Sequence, residues 1–133
     1  LLADVDLPDG KTLEGLAGVH GRLLGSTDDE RAAAVRAVRA ALAHPVLARA
    51  TAALGQGACW REVPLTARVE GGWLVEGAAD LVFDDGGVVT VVDFKTGTPD
   101  DALLAVYRRQ VQIYAAAAGA ALGRAARGLL LLL

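Results

Sequence analysis

Leu13, Leu16, Ala17, His20, Leu23 and Leu24 recur at helical spacing, which predicts a first amphipathic helix ending near Gly25, with His20 on its apolar face. A second helix is predicted from Thr27, where Thr27 and Glu30 form a capping-box pattern, through an alanine-rich stretch to about Ala43. Its arginines, Arg31, Arg36 and Arg39, are expected to be solvated. Pro45 breaks that helix and can open a short third one, which the Gly55 to Gly57 stretch closes. Beyond Gly57 the period turns from helical to strand-like. Cys59 to Val69, Trp73 to Asp84 and Val88 to Lys95, separated by glycine turns, predict a three-stranded antiparallel meander. A further helix is predicted to start at Thr98-Pro99-Asp100-Asp101, with Thr98 as cap and Pro99 at the first helical position, and to run to about Leu122. Leu129 to Leu133 have no period to read, but a buried strand fits them better than another short helix. The expected fold is therefore α/β (α+β): N-terminal helices, the meander, a helix and a final strand, forming a mixed central sheet flanked by helices.

Composition narrows this picture. A length of 133 residues suits one domain, residues 1–133, with a real core, and not two of typical size. No run approaches the roughly 18 uninterrupted apolar residues of a membrane span. The N-terminus also lacks the basic start and small-residue cleavage site of a signal peptide, so a cytoplasmic location is expected. Cys59, the single cysteine, can make neither an internal disulfide nor a four-cysteine zinc site or Fe-S cluster. The formal net charge of -3 weighs against a free-standing nucleic-acid binder, because phosphate neutralisation normally supplies non-specific affinity. A start at Leu1, the absence of Met and the apolar run Gly128 to Leu133 suggest a piece excised from a longer chain.

The chemistry concentrates on two strands. Val88-Val89-Thr90-Val91-Val92-Asp93-Phe94-Lys95 is β-branched and apolar on both faces, as expected of a central strand covered on both sides, yet it ends in charge. Alternation puts Asp93 and Lys95 on one face and Phe94 on the other. If Gly86-Gly87 are the central turn residues, Asp85 faces Val88 and Asp80 falls opposite Asp93; with Asp85-Gly86 at the centre, Asp80 faces Val91 and is diagonal to Asp93. Either register holds the two carboxylates within roughly 5 to 8 Å between Cβ atoms. Like charges so placed destabilise a sheet unless something positive lies between them, and oxygen donors suit Mg2+ or Mn2+. Such an ion can polarise a phosphoryl oxygen and activate water, while Lys95 could steady the attacking water or the developing charge. The plainer alternative is that Lys95 and Asp93 pair with each other at an exposed strand end. His20, taken alone, fits a hydrogen-bonded core histidine better than a ligand, and Tyr107, Gln110 and Tyr114 share one helix face as a partly buried stripe with polar tips. Trp60 and Trp73 are expected to pack, with base stacking as an alternative.

Asp80, then Val92-Asp93-Phe94-Lys95-Thr96-Gly97 on the next strand, then Gln110 and Tyr114 on the following helix together resemble the PD-(D/E)XK nucleases, specifically the RecB/AddA-type nuclease domain of UvrD-like helicase-nucleases. The resemblance runs from about Leu13 to Leu133 and implies a restriction-endonuclease-like core. It implies a DNA exonuclease dependent on Mg2+ or Mn2+, fed with a single strand or duplex end by a helicase/ATPase partner and acting in DNA repair and recombination. It also implies that His20, Asp80, Asp93 and the Phe94 backbone carbonyl hold the metal. Lys95 would then assist the water, with Gln110 and Tyr114 lining the site and contacting the lysine or the DNA. The family usually carries a glycine four residues before this histidine, where this chain has Leu16, with Gly15 and Gly18 nearby. Glu62 matches an acidic position often seen on the first strand, where a structural or solvated role is also open, and His44 has no counterpart. Two rival readings are a non-catalytic module of the same fold with a scaffolding or DNA-guiding role, and a restriction endonuclease or junction resolvase. The intact set of site residues weighs against the first. The second would need its own dimer interface and basic cleft, and neither is visible in the sequence.

Overall fold

The computed structural model describes residues 13–133; residues 1–12, Leu1 among them, lie outside the described residues. The elements are α1 (Leu13–Leu24), α2 (Asp28–Leu42), α3 (Pro45–Gly55), β1 (Cys59–Arg68), β2 (Leu74–Asp85), β3 (Val88–Lys95), α4 (Asp101–Leu122) and β4 (Ala126–Leu132). This is the predicted order. The Thr27–Glu30 capping box is formed in both directions, and Pro45 opens α3 as expected. His44 finds its role here: it caps α3, with Nδ1 accepting from the Val46 N–H at 3.2 Å.

Three expectations need correction. The cap of α4 is Asp100, whose carboxylate accepts from the Leu103 N–H at 2.8 Å, so Thr98 and Pro99 precede the helix. A carboxylate at the positive end of a helix outcompetes a threonine two residues earlier. The last strand starts at Ala126, before the leucine run, because Ala126 to Gly128 pair in parallel with Val89 to Val91 and apolarity marks only the later residues. Finally, Arg36 and Arg39 are exposed as expected, Arg39 also pairing with Glu14 across the α1–α2 contact, but Arg31 is half-buried and binds Asp28 and the Ser26 carbonyl.

The four strands lie in the order β1-β2-β3-β4. The first three are antiparallel, and β4 returns parallel to β3 after the α4 crossover, the kind of connection that parallel pairing requires. α4 covers one face, where Val111, Tyr114, Ala115 and Ala118 pack on Ala79, Val82, Val89 and Val91. α3 covers the other, with Val46, Leu47, Ala50 and Ala53 against Leu81, Phe83 and Val92. Both faces of β3 are thus covered, which is why its sequence is apolar at successive positions. α1 and α2 form a smaller cluster around Leu13 and Val38.

At the β2–β3 turn, Arg124 pairs with Asp84, and Arg49 and Arg127 both reach Asp85, at 3.3 and 2.5 Å. Arg127 also donates from Nε to the buried Thr90 hydroxyl at 2.9 Å, which satisfies that polar group and fixes β4 beside β3. No helix among the described residues is long and apolar enough to cross a membrane.

Candidate active site

β2 and β3 pair from Asp85–Val88 to Leu81–Val92, and there the pairing stops. Gly86 and Gly87, with φ of +66° and +94°, occupy the turn and select the first of the two possible registers. Below Leu81, β2 runs on with β1 alone, while β3 continues with β4 as far as Lys95–Leu132. The sheet therefore forks at Asp80 and Asp93, which face each other in continuation of the register. The Phe94 N–H, past the last paired residues, donates to Asp80 Oδ2 at 2.7 Å. A side chain thus replaces a backbone carbonyl in the ladder and anchors Asp80 at the fork.

The fork coincides with a change of phase. Ala79 and Val82 both join the α4-side cluster, whereas Leu81 and Phe83 join the α3-side one; strict alternation would put Ala79 with Leu81. β1 shifts in step: Cys59 packs on the α3 side, Val63 and Leu65 on the α4 side. Between them is Glu62, with φ +49°, the one non-glycine residue of positive φ among the described residues. Its place in the register, between Arg61–Leu81 and Val63–Ala79, is opposite Asp80. Left-handed backbone at a residue with a Cβ stores strain, and such strain collects at functional sites. Glu62→Gly is expected to stabilise the fold by about 1 kcal/mol, read as a higher midpoint in urea. An unchanged or lower midpoint would mean that the Glu62 side chain contributes as much as its backbone costs.

Asp93 is only 2% exposed. Lys95 Nζ lies 2.8 Å from its Oδ2, but the approach is not aligned as a hydrogen bond, so this oxygen is buried with no hydrogen-bond donor. We read the pair as a Coulombic contact and not as a satisfied one. The same ammonium lies 5.0 Å from the centre of the Tyr107 ring, within cation–π range. Tyr107 is the residue that sequence reasoning left in the packing stripe; its signal was a place on the Gln110–Tyr114 helix face, one turn earlier.

Burial raises the Asp80 carboxyl above its usual range, and the Asp93 and Glu62 carboxylates push it further; the Phe94 N–H and Lys95 oppose the rise. A raised carboxyl binds its proton more tightly in the folded state. Its contribution is therefore most favourable below the unfolded value of roughly 3.9 and is lost as pH rises through the higher folded value. At neutral pH, ionised Asp80 works against folding. Asp80→Asn keeps an acceptor for the Phe94 N–H and is expected to raise the melting temperature at pH 7, with the gain shrinking to nothing below about pH 4. Melting curves across that range check the sign. A variant less stable at pH 7 would mean that the charge is compensated.

Gln110 Nε2 donates to the Tyr114 hydroxyl at 3.2 Å. Tyr114 is buried in the α4-side cluster, with its hydroxyl against Gly77 of β2, where a Cβ would come 2.8 Å from ring Cζ. His20 is half-buried on α1, a helix whose main packing is against α2. Among the described residues no three His, Cys, Asp or Glu side chains are grouped to hold a metal ion. The structure thus brings Asp80, Asp93 and Lys95 together and does not bring His20 into a ligand group with them. α1 packs Leu13 and Leu16 against Val35, Val38 and Leu42 of α2. Trp60 and Trp73, expected to pack, are 44% and 76% exposed; Trp60 stands near the start of the edge strand β1 and Trp73 in the turn between β1 and β2. Two carboxylates, one almost fully buried with an oxygen that lacks a donor, are a donor set for a hard divalent cation, and to that extent the residues fit one.

Comparison with curated proteins gives no match. Comparison with protein families does: the PD-(D/E)XK nuclease superfamily matches residues 9–132, a span that holds the fork and every element of the fold. With the match covering nearly the whole chain, and with an aspartate on one strand facing an Asp-Phe-Lys on the next, the chain belongs to the PD-(D/E)XK nuclease superfamily.

Proposed function

We propose that the domain hydrolyses DNA phosphodiester bonds with the help of Mg2+ or Mn2+, as the exonuclease part of a helicase-nuclease that processes DNA ends in repair and recombination. The observation that carries the reading is the fork itself, where Asp80 and the buried, donor-less Asp93 oxygen converge beside Lys95. Asp80, Asp93 and the Phe94 carbonyl would hold the cation, with His20 as the further ligand that the resemblance implies. When bound, the ion polarises a phosphoryl oxygen and lowers the pKa of water. Lys95 places its ammonium where negative charge develops on the phosphorus oxygens. Gln110 and Tyr114 support the site from α4. The net charge of -3 fits a domain that receives its strand from a neighbouring helicase, which supplies the phosphate contacts.

The rival reading is a nuclease-fold module that scaffolds or guides DNA without cutting. It draws on the Lys95–Asp93 ion pair and on the absence, among the described residues, of a three-ligand group.

Cleavage of labelled single- and double-stranded DNA in low salt, with Mg2+, Mn2+ or EDTA, separates the two. Cutting that needs metal and falls by about a hundredfold or more in Lys95→Ala supports the nuclease. Calorimetric titration of Mn2+ covers the case of no cutting: binding then means a competent site without its DNA-delivering neighbour, and no binding leaves the scaffold reading in front. The same titration on His20→Ala decides its place, since a ligand would weaken binding and a core histidine would not.

A further inference from the structure

Lys95 is the last residue of β3, and its Nζ has two neighbours of different kinds: the Asp93 carboxylate at 2.8 Å and the face of the Tyr107 ring, 5.0 Å from its centre. These neighbours respond differently to a cation. A divalent ion held by Asp93 takes over the charge that Lys95 now answers and repels the ammonium. A lysine has four flexible carbons, and an ammonium without a fixed partner regains rotamer freedom and moves to water. The ring face is uncharged, and its attraction for Lys95 does not depend on what Asp93 binds.

We propose that Tyr107 is the positioning residue of Lys95, holding the ammonium at the fork by its ring face when a divalent cation takes Asp93 away from it. The inference rests on the nuclease reading for the task of the lysine, but the contact itself can be measured without cleavage. Tyr107 sits near the N-terminal end of α4, whose next turns bury Val111 and Tyr114 in the core, so the ring is carried by a rigid element. The role belongs to the aromatic face and not to the hydroxyl. Phenylalanine therefore substitutes for it and leucine, of similar bulk, does not.

The chain has two lysines, Lys11 and Lys95, so Lys11→Arg leaves a single lysine for isotope-selective NMR. Ring currents should move the Lys95 ε-methylene protons upfield in the metal-free protein and in Tyr107→Phe, and Tyr107→Leu should abolish the shift. The shift is expected to persist when Mg2+ is added. Its loss on Mg2+ addition, or its survival in Tyr107→Leu, overturns the proposal. In DNA cleavage, Tyr107→Leu should lower kcat by about tenfold with KM nearly unchanged, while Tyr107→Phe stays near the parent protein. Equal kcat in the leucine variant also overturns it. If the parent protein neither cuts DNA nor binds metal, the nuclease reading fails separately, and the metal-free spectra alone decide whether the ring holds the lysine.

Discussion

Asp93→Ala is expected to lower kcat for DNA cleavage by at least about a thousandfold and to weaken Mn2+ binding beyond easy saturation, while the protein stays folded. Cation-assisted charge stabilisation is worth several kcal/mol, and each 1.36 kcal/mol is tenfold in rate, so removing one of two carboxylate ligands removes most of the effect. Asp93 is the better probe of the pair, because Asp80 also receives the Phe94 N–H and its loss disturbs the fork. Replacing Asp93 by alanine instead takes away a buried charge with an unsatisfied oxygen, and the Lys95 ammonium, already 22% exposed, keeps water and the Tyr107 ring face as neighbours. Folding stability should therefore change little. Single-turnover cleavage, Mn2+ titration and thermal melting on one preparation test all three parts. Retained cutting with lost Mn2+ binding would remove Asp93 from the chemistry and sink the proposed centre.

Gly77→Ala is expected to destabilise the domain by about 3 kcal/mol, the sum of overpacking and the loss of part of a buried aromatic. A Cβ at Gly77 runs into the Tyr114 hydroxyl and comes within 2.8 Å of ring Cζ, and a tyrosine with two side-chain torsions inside a packed cluster has little room to yield. Tyr114 must then leave the α4–β2 contact and give up its bond from Gln110. The double-mutant cycle with Tyr114→Leu isolates this cause. In the leucine background the cost of Gly77→Ala should drop by about 1 to 2 kcal/mol in urea unfolding, and an equal cost in both backgrounds would place the obstacle elsewhere. Since Gly77 lies shortly before Asp80 on the same strand, the stabler double variant also reports whether a repacked contact moves the fork.

The elements were legible because each has a local cause. Thr27 and Glu30 announce α2, Pro45 announces α3, and the Gly86-Gly87 turn sets the β2–β3 register that puts Asp80 opposite Asp93. The aspartates and Lys95 could be placed together from the sequence because one strand and one two-residue turn control their relation. Where an expectation failed, either a better local partner competed, as Asp100 does with Thr98 for the cap of α4, or the deciding neighbour lay far away in the chain. Trp60 and Trp73 are more exposed than expected because β1 is the edge strand, a place set only by the pairing of the whole sheet. The link of His20 to the aspartates comes from resemblance alone, and no local signal in α1 carries it.

The sequence by itself determined the order of elements, the covered central strand β3 and the facing of the two carboxylates, since these follow from periodicity, caps and a glycine turn acting over a few residues. Tertiary structure alone decided the rest. The fork below Leu81, the joint change of phase at Glu62 and Asp80, the Asp80 bond to Phe94 and the seat of Lys95 between Asp93 and Tyr107 each need strands and a helix that meet only after folding. Pattern fixes which face of an element is apolar; the choice of neighbour on that face depends on packing the whole core at once.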